Sequence, residues 1–152
     1  QLTALWDAKA IAAAEEMLAQ AARLKSPGRF QIEAAIQSAH VSARLTGADT
    51  RAGVVRLYDR LLAIAPSTGA EIARAGALLK AGRPADALAA LNSLDRERLA
   101  SHQPYWATRA HVLAACGDKE AATAAFDRAI GLSSDAAARA FLAKAKASIS
   151  AS

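Results

Sequence analysis

Arg74, Ala75, Leu78, Gly82, Ala87 and Leu91 recur 35 residues later as Arg109, Ala110, Leu113, Gly117, Ala122 and Phe126. The recurrence keeps spacing as well as residue type, and it constrains the fold more than any other feature of the chain. Within each copy the apolar positions step by three or four up to a glycine, then resume that step beyond it, which is the pattern of a helix, a tight turn and a second helix. One such pair cannot bury its own apolar face, so copies must stack on one another. The repeat therefore predicts an all-α array rather than any mixed architecture.

The rest of the chain carries the same helical period, and no alternating strand pattern competes with it. Leu2, Trp6, Ala10, Ala13, Met17 and Ala21 mark one face of a first helix ending near Leu24. Ser26-Pro27 offers a cap for a second helix with the stripe Ile32, Ala35, Ile36, Ala39 and Ala43, ended by Gly47 and Asp49. A third carries Val54, Leu57, Tyr58, Leu61, Leu62 and Ala65 before Pro66. Thr68 with Glu71 reads as the capping box of a fourth, through Ile72, Ala75, Leu78 and Leu79 to Gly82. Pro84 opens a fifth with Ala87, Leu88, Leu91 and Leu94. After a polar stretch from Asp95 to Gln103, a sixth helix holds Trp106, Ala110 and Leu113. A seventh, capped by Asp118, holds Ala122, Phe126 and Ala129. An eighth, capped by Ser133 or Ser134, holds Phe141, Ala145 and Ile149.

The helix pairs resemble the tetratricopeptide repeat. Its order of aromatic, small, large, glycine, alanine, aromatic and alanine is met by Trp106, Ala110, Leu113, Gly117, Ala122, Phe126 and Ala129. The clearest copies span 71–99 and 106–134, and a degenerate unit spans 38–66, with Tyr58 in the large position and Pro66 at its close. Arg109 departs from the leucine that the repeat prefers, and no proline stands near Ser134. The resemblance implies a single domain over 1–152, made of about eight helices in antiparallel hairpins stacked as a right-handed superhelix. Tyr58, Leu78, Gly82, Ala87, Leu91, Trp106, Ala110, Leu113, Gly117, Ala122 and Phe126 are its expected structural positions. The concave side of such arrays usually binds partners.

Charge and composition narrow the class of function. With 53% hydrophobic but only 5% aromatic residues, the apolar content is mostly small side chains that favour helix. Every apolar run meets a charge well before the roughly 18 residues a spanning helix needs, so no membrane role is expected. The net charge of +5 permits an acidic partner without requiring one. Basic and acidic residues alternate as on solvated helix faces, except in the basic tail of Arg139, Lys144 and Lys146. Cys116 is the one cysteine, so the chain forms no internal disulfide and suits a reducing, cytoplasmic setting. The start at Gln1, with neither methionine nor signal segment, reads as a piece of a longer chain or a processed terminus.

No set of side chains reads as a reaction centre. His40 and His111 lie within helices as packed or surface residues, and His102 falls in the polar connection, where exposure is expected. His111 and Cys116, five positions apart across a helix end, make a poor metal clip. Glu15 and Glu16 point in different directions on a helix and have no Glu-x-x-His partner. The glycines stand singly at helix ends, without a phosphate-binding loop. Cys116 lies near a helix C-terminus, where the dipole does not favour an anion, and reads as inert. No enzyme, metal, cofactor or small-molecule substrate is expected. Arg74 and Arg109 are the candidate partner-binding residues. Either their stems pack across a helix pair with the guanidinium bonding locally, or they form a clamp for an acidic peptide.

An ordered set of segments resembles something more specific. Leu5-Trp6-Asp7, then Gly28-Arg29-Phe30-Gln31-Ile32-Glu33-Ala34-Ala35-Ile36 with His40, then Leu57-Tyr58-Asp59 with Leu61-Leu62, then Pro66-Ser67 and Arg74-Ala75, resemble the C-terminal extension of a subgroup of extracytoplasmic-function (ECF) RNA polymerase sigma factors. The likeness covers nearly all of Leu5 to Ile149. Ala73 departs from the asparagine often found before the arginine. The resemblance implies a tetratricopeptide-like domain that regulates transcription initiation through its own sigma regions, the polymerase or a signalling partner. DNA contact would then belong only to sigma regions outside this chain. The alternative is a free-standing tetratricopeptide scaffold that binds a peptide or protein.

Overall fold

The computed structural model describes residues 28–150, with Ser150 described by its backbone alone. The helix expected from Leu2 to Leu24, the Ser26-Pro27 cap and the Glu15-Glu16 pair lie outside the described residues. Within them the chain is all-α. It runs through seven helices: α1 (Arg29–Thr46), α2 (Arg51–Ile64), α3 (Thr68–Lys80), α4 (Pro84–Asn92), α5 (Gln103–Ala115), α6 (Lys119–Leu132) and α7 (Ala136–Ser150). They form two compact units, one ending at Ala70 and the other beginning at Glu71. None of the helices in the described residues is long and apolar enough to cross a membrane.

In the first unit α1 packs on α2. Ile32, Ala35, Ile36 and Ala39 recur at helical spacing and are buried, while Ala43 is only half-buried. Ile32, Ile36, Leu61 and Ala70 form the core, with Leu57, Tyr58, Leu62 and Ala65 packed against it. Val55 is buried beside Val54, a position the apolar stripe of α2 did not include. α1 ends at Gly47, whose φ of 69° is open to glycine at little cost, and the Gly47 N–H donates to the Ala43 carbonyl.

In the second unit α4 packs on α5, α5 on α6 and α6 on α7. Its core joins Ala110, Leu113, Ala122, Ala125, Phe126, Ala129 and Leu142. The 35-residue repeat appears here as hydrogen-bond geometry. Gly82 N–H donates to Leu79 O and Arg83 N–H to Leu78 O; Gly117 N–H donates to Ala114 O and Asp118 N–H to Leu113 O. Both sets are Schellman turns, and each needs a left-handed residue, supplied by Gly82 at φ 75° and Gly117 at φ 84°. The contact positions match as well. Ala75 and Ala110 are fully buried, as are Ala87 and Ala122, and Leu91 and Phe126 are at most 1% exposed.

Several local expectations are corrected. Ser67, not Thr68, caps α3: its Oγ accepts the Ala70 N–H at 3.2 Å, and Thr68 is already helical. The cap must sit one residue before the first helical position, and Ser67 has the needed hydroxyl. Leu94 lies beyond the end of α4 at Asn92. α7 is capped by Asp135, whose Oδ2 accepts the Ala138 N–H at 2.8 Å, and not by Ser133 or Ser134. Ser133 instead donates to Ala129 O and accepts from Gln103 Nε2. On α7 the buried residue is Leu142, 3% exposed, while Phe141 is 64% exposed. Positions 142, 145 and 149 and positions 141, 145 and 149 both fit a helical stripe, and the structure buries the one with Leu142, not the one with the aromatic. The Asp118 cap of α6 is present, with Oδ1 accepting the Ala121 N–H at 3.0 Å.

Candidate functional site

The helical period sets Trp106, Arg109 and Leu113 on one face of α5, and Ala121, Ala124, Ala125 and Arg128 on one face of α6. These faces line a cleft of about 470 Å³. The alanines keep the α6 wall low, so Leu113 and the three alanines make an apolar floor. Arg109 and Arg128 stand on its walls, and Arg96 joins them from the polar connection between α4 and α5.

Trp106 organises this rim. Its indole Nε1 donates to Leu99 O at 3.0 Å and to Ala100 O at 3.1 Å, which fixes the ring against the connection. Tyr105, 1% exposed, makes a T-shaped contact with the ring, the two centroids 5.3 Å apart. The guanidinium of Arg96 lies 5.7 Å from the Trp106 ring centroid and that of Arg128 lies 5.8 Å from it. Such cation–π contacts contribute about 0.5–1 kcal/mol each where exposed. Arg128 also donates from Nε and Nη2 to Ala100 O, and Arg109 donates from Nη1 to Asn92 Oδ1 at 2.7 Å. Asp95 pairs with Arg98 and Asp127 with Lys146. Among the described residues none of the three cleft arginines forms an ion pair.

Of the two candidate binding residues, Arg109 enters this cleft, whereas Arg74, half-buried on α3, does not line it. Arg96 and Arg128 were missed. Arg96 sits in a stretch that reads as solvated loop, and Arg128 sits among charges that read as a helix surface. The available signal was the i, i+3, i+7 spacing of Trp106, Arg109 and Leu113 facing the matching spacing of Ala121, Ala124, Ala125 and Arg128.

The expected structural positions divide by environment. Leu78, Ala87, Leu91, Ala110, Leu113, Ala122 and Phe126 are buried, Gly82 and Gly117 form the turns, and Trp106 is half-buried in the cleft. Tyr58 is half-buried, and burial raises its phenol above the ordinary 10.0. His111 is half-buried, with its ring edge-on to Phe126 at 5.0 Å and tilted against Phe141 at 6.1 Å. Burial lowers its pKa from the ordinary 6.5 because the cation would lose hydration. His40 is half-buried, His102 is exposed, and Cys116 is an exposed thiol at the end of α5. Among the described residues no three His, Cys, Asp or Glu side chains are grouped to hold a metal ion. In the first unit a hollow of about 490 Å³ is lined by Arg56 and Arg60, but also by Asp49, which Arg51 engages in a two-point ion pair. That hydrogen bonding holds the Asp49 carboxyl down at about 2.

The geometry defines an all-α protein of helix hairpins with a basic, tryptophan-centred cleft in its second unit. The chain is 34% identical over 138 residues to an uncharacterized protein of Rhizobium meliloti (strain 1021), a match that takes in 91% of this chain and 32% of that protein. It thus spans about a third of the length of the curated relative it matches. No protein family and no solved structure matches the sequence.

Proposed function

We propose that this chain is the C-terminal regulatory and protein-interaction domain of an ECF-type RNA polymerase sigma factor, acting in the cytoplasm. In this reading it modulates transcription initiation in cis and leaves sequence-specific promoter contacts to sigma regions elsewhere in the parent protein. The observation that carries the reading is the ordered set of segments from Gly28-Arg29-Phe30 through Leu57-Tyr58-Asp59 to Arg74-Ala75, which resembles that extension along successive helices. The relative adds support, because a match to most of this chain and a third of a longer one is the pattern of a domain appended to others. The helix hairpins add support of another kind, since stacked pairs present side chains across a surface suited to a partner.

Gel-shift titration of the isolated chain tests the division of labour. At physiological salt it is expected to bind the cognate promoter no better than random DNA, with whatever affinity the +5 charge confers. A preference for the promoter sequence overturns the assignment. A parent chain lacking two helical sigma regions overturns it equally.

A further inference from the structure

We infer that the cleft of Arg96, Arg109 and Arg128 around Trp106 is a docking site for an acidic polypeptide segment that carries an apolar side chain between its carboxylates. The inference rests on the reading of this chain as a protein-interaction domain, and not on the identity of its parent. Three guanidinium groups gathered at one cleft repel one another, and none has a carboxylate partner among the described residues. What holds them locally is weak: the Trp106 ring for Arg96 and Arg128, one carbonyl for Arg128 and one amide oxygen for Arg109. Arginine has five N–H donors, so each retains several for a ligand, and planar carboxylates match that fork.

The floor selects the class of anion. Leu113, Ala121, Ala124 and Ala125 present hydrocarbon, which suits an aliphatic side chain flanked by acids. A single-stranded nucleic acid would call on an open aromatic face for stacking. Trp106 offers little of one: its N–H is spent on two carbonyls, Tyr105 packs T-shaped on it and two guanidinium groups lie against it.

The test uses the 152-residue chain carrying Trp6→Phe, so that Trp106 is the sole tryptophan, and a labelled peptide of repeated Glu-Glu-Leu units, followed by fluorescence anisotropy and by tryptophan emission. Arg96 is exposed and its side chain makes no hydrogen bond among the described residues, so Arg96→Gln is expected to keep the helical signal while weakening the peptide about tenfold or more, as for one charge-assisted contact. Arg139→Gln makes the same charge change at an exposed position of α7, outside the cleft, and is expected to leave affinity within about twofold. Absence of peptide binding, equal losses in the two variants, or an oligodeoxynucleotide of equal charge binding as tightly as the peptide would each overturn the proposal. Neither promoter nor polymerase enters this assay, so failure here leaves the transcriptional reading standing. Failure of the transcriptional reading likewise leaves this site intact.

Discussion

The hairpin turn between α1 and α2 and the turn between α5 and α6 do the same job with different precision. In the second unit Gly117 closes a two-bond Schellman turn, and α6 begins two residues later at Lys119. The same two bonds and the same offset occur at Gly82 before Pro84. In the first unit Gly47 makes one bond, to Ala43 O, and α2 begins four residues later at Arg51. Thr50 bridges the longer connection by donating from Oγ1 to Ala39 O at 3.3 Å. The large apolar residue follows nine positions after Gly82 and Gly117, but Tyr58 comes eleven after Gly47, and it stays half-buried where Leu91 and Phe126 are sealed. Phe30, Val41, Leu45 and Ile64 are exposed in the first unit, against Phe141 in the second. A tight turn thus fixes which residues of the second helix meet small partners on the first, and two added residues loosen that register.

The largest expected effect separates the closing residues of the two turns. Phe126→Ala should cost about 3–5 kcal/mol, as for a buried aromatic in a filled core, and Tyr58→Ala about half as much. Denaturant unfolding followed by the helical signal measures both, and a loss below about 1 kcal/mol for Phe126→Ala would show that the tight turn does not seal its closing residue better than the longer one. Next in size is the turn itself. Gly117→Ala should cost about 1–2 kcal/mol because a side chain strains at φ 84°. Gly76→Ala inside α3, where an added Cβ meets nothing within 4 Å, should instead stabilise by about 0.5–1 kcal/mol. Stabilisation by Gly117→Ala would show that the left-handed turn is dispensable.

Acid should sharpen the contrast further. The folded-state pKa of His111 is depressed, so the unfolded chain binds the extra proton first. The contribution of its burial to stability is complete above 6.5 and declines as pH falls below that value. The second unit should therefore melt lower at pH 5 than at pH 7.5, and His111→Phe should flatten the difference; an unchanged slope in that variant would assign the effect elsewhere. The smallest effect belongs to Asp49, whose carboxyl is held at about 2 by Arg51 against an ordinary 3.8. Its contribution is present above 3.8 and is lost as pH falls through about 2. Because the pair is fully exposed, solvent screening keeps this small, and Asp49→Asn should remove it; a variant that lost stability at neutral pH by as much as Gly117→Ala would show a structural role.

What was legible in the sequence follows the same divide. The second unit could be read because its period repeats, its turns carry obligatory glycines and its contact alanines admit no larger residue. Leu78, Ala87 and Leu91 followed from spacing alone. Helix starts were read less well, since Ser67 and Thr68, or Ser133, Ser134 and Asp135, are all competent caps and only the backbone path decides among them. Phe141 and Leu142 both keep a helical step, so spacing alone does not say which is buried. Tyr105 was missed beside Trp106 for a similar reason, as adjacent aromatics leave open which one faces the core. The cleft was least legible. Arg109 stood out as a departure from the repeat, but Arg96 and Arg128 come from other segments, and their meeting at Trp106 is a property of packing.

The most direct test of the proposed regulatory role is promoter-specific transcript yield from the proposed sigma-factor parent with and without Gln1 to Ser152, measured with polymerase on its promoter. Removing these residues is expected to change the yield while initiation still occurs at the same start site. An unchanged yield would contradict the regulatory role, and loss of promoter choice would contradict the claim that sequence recognition lies outside this domain.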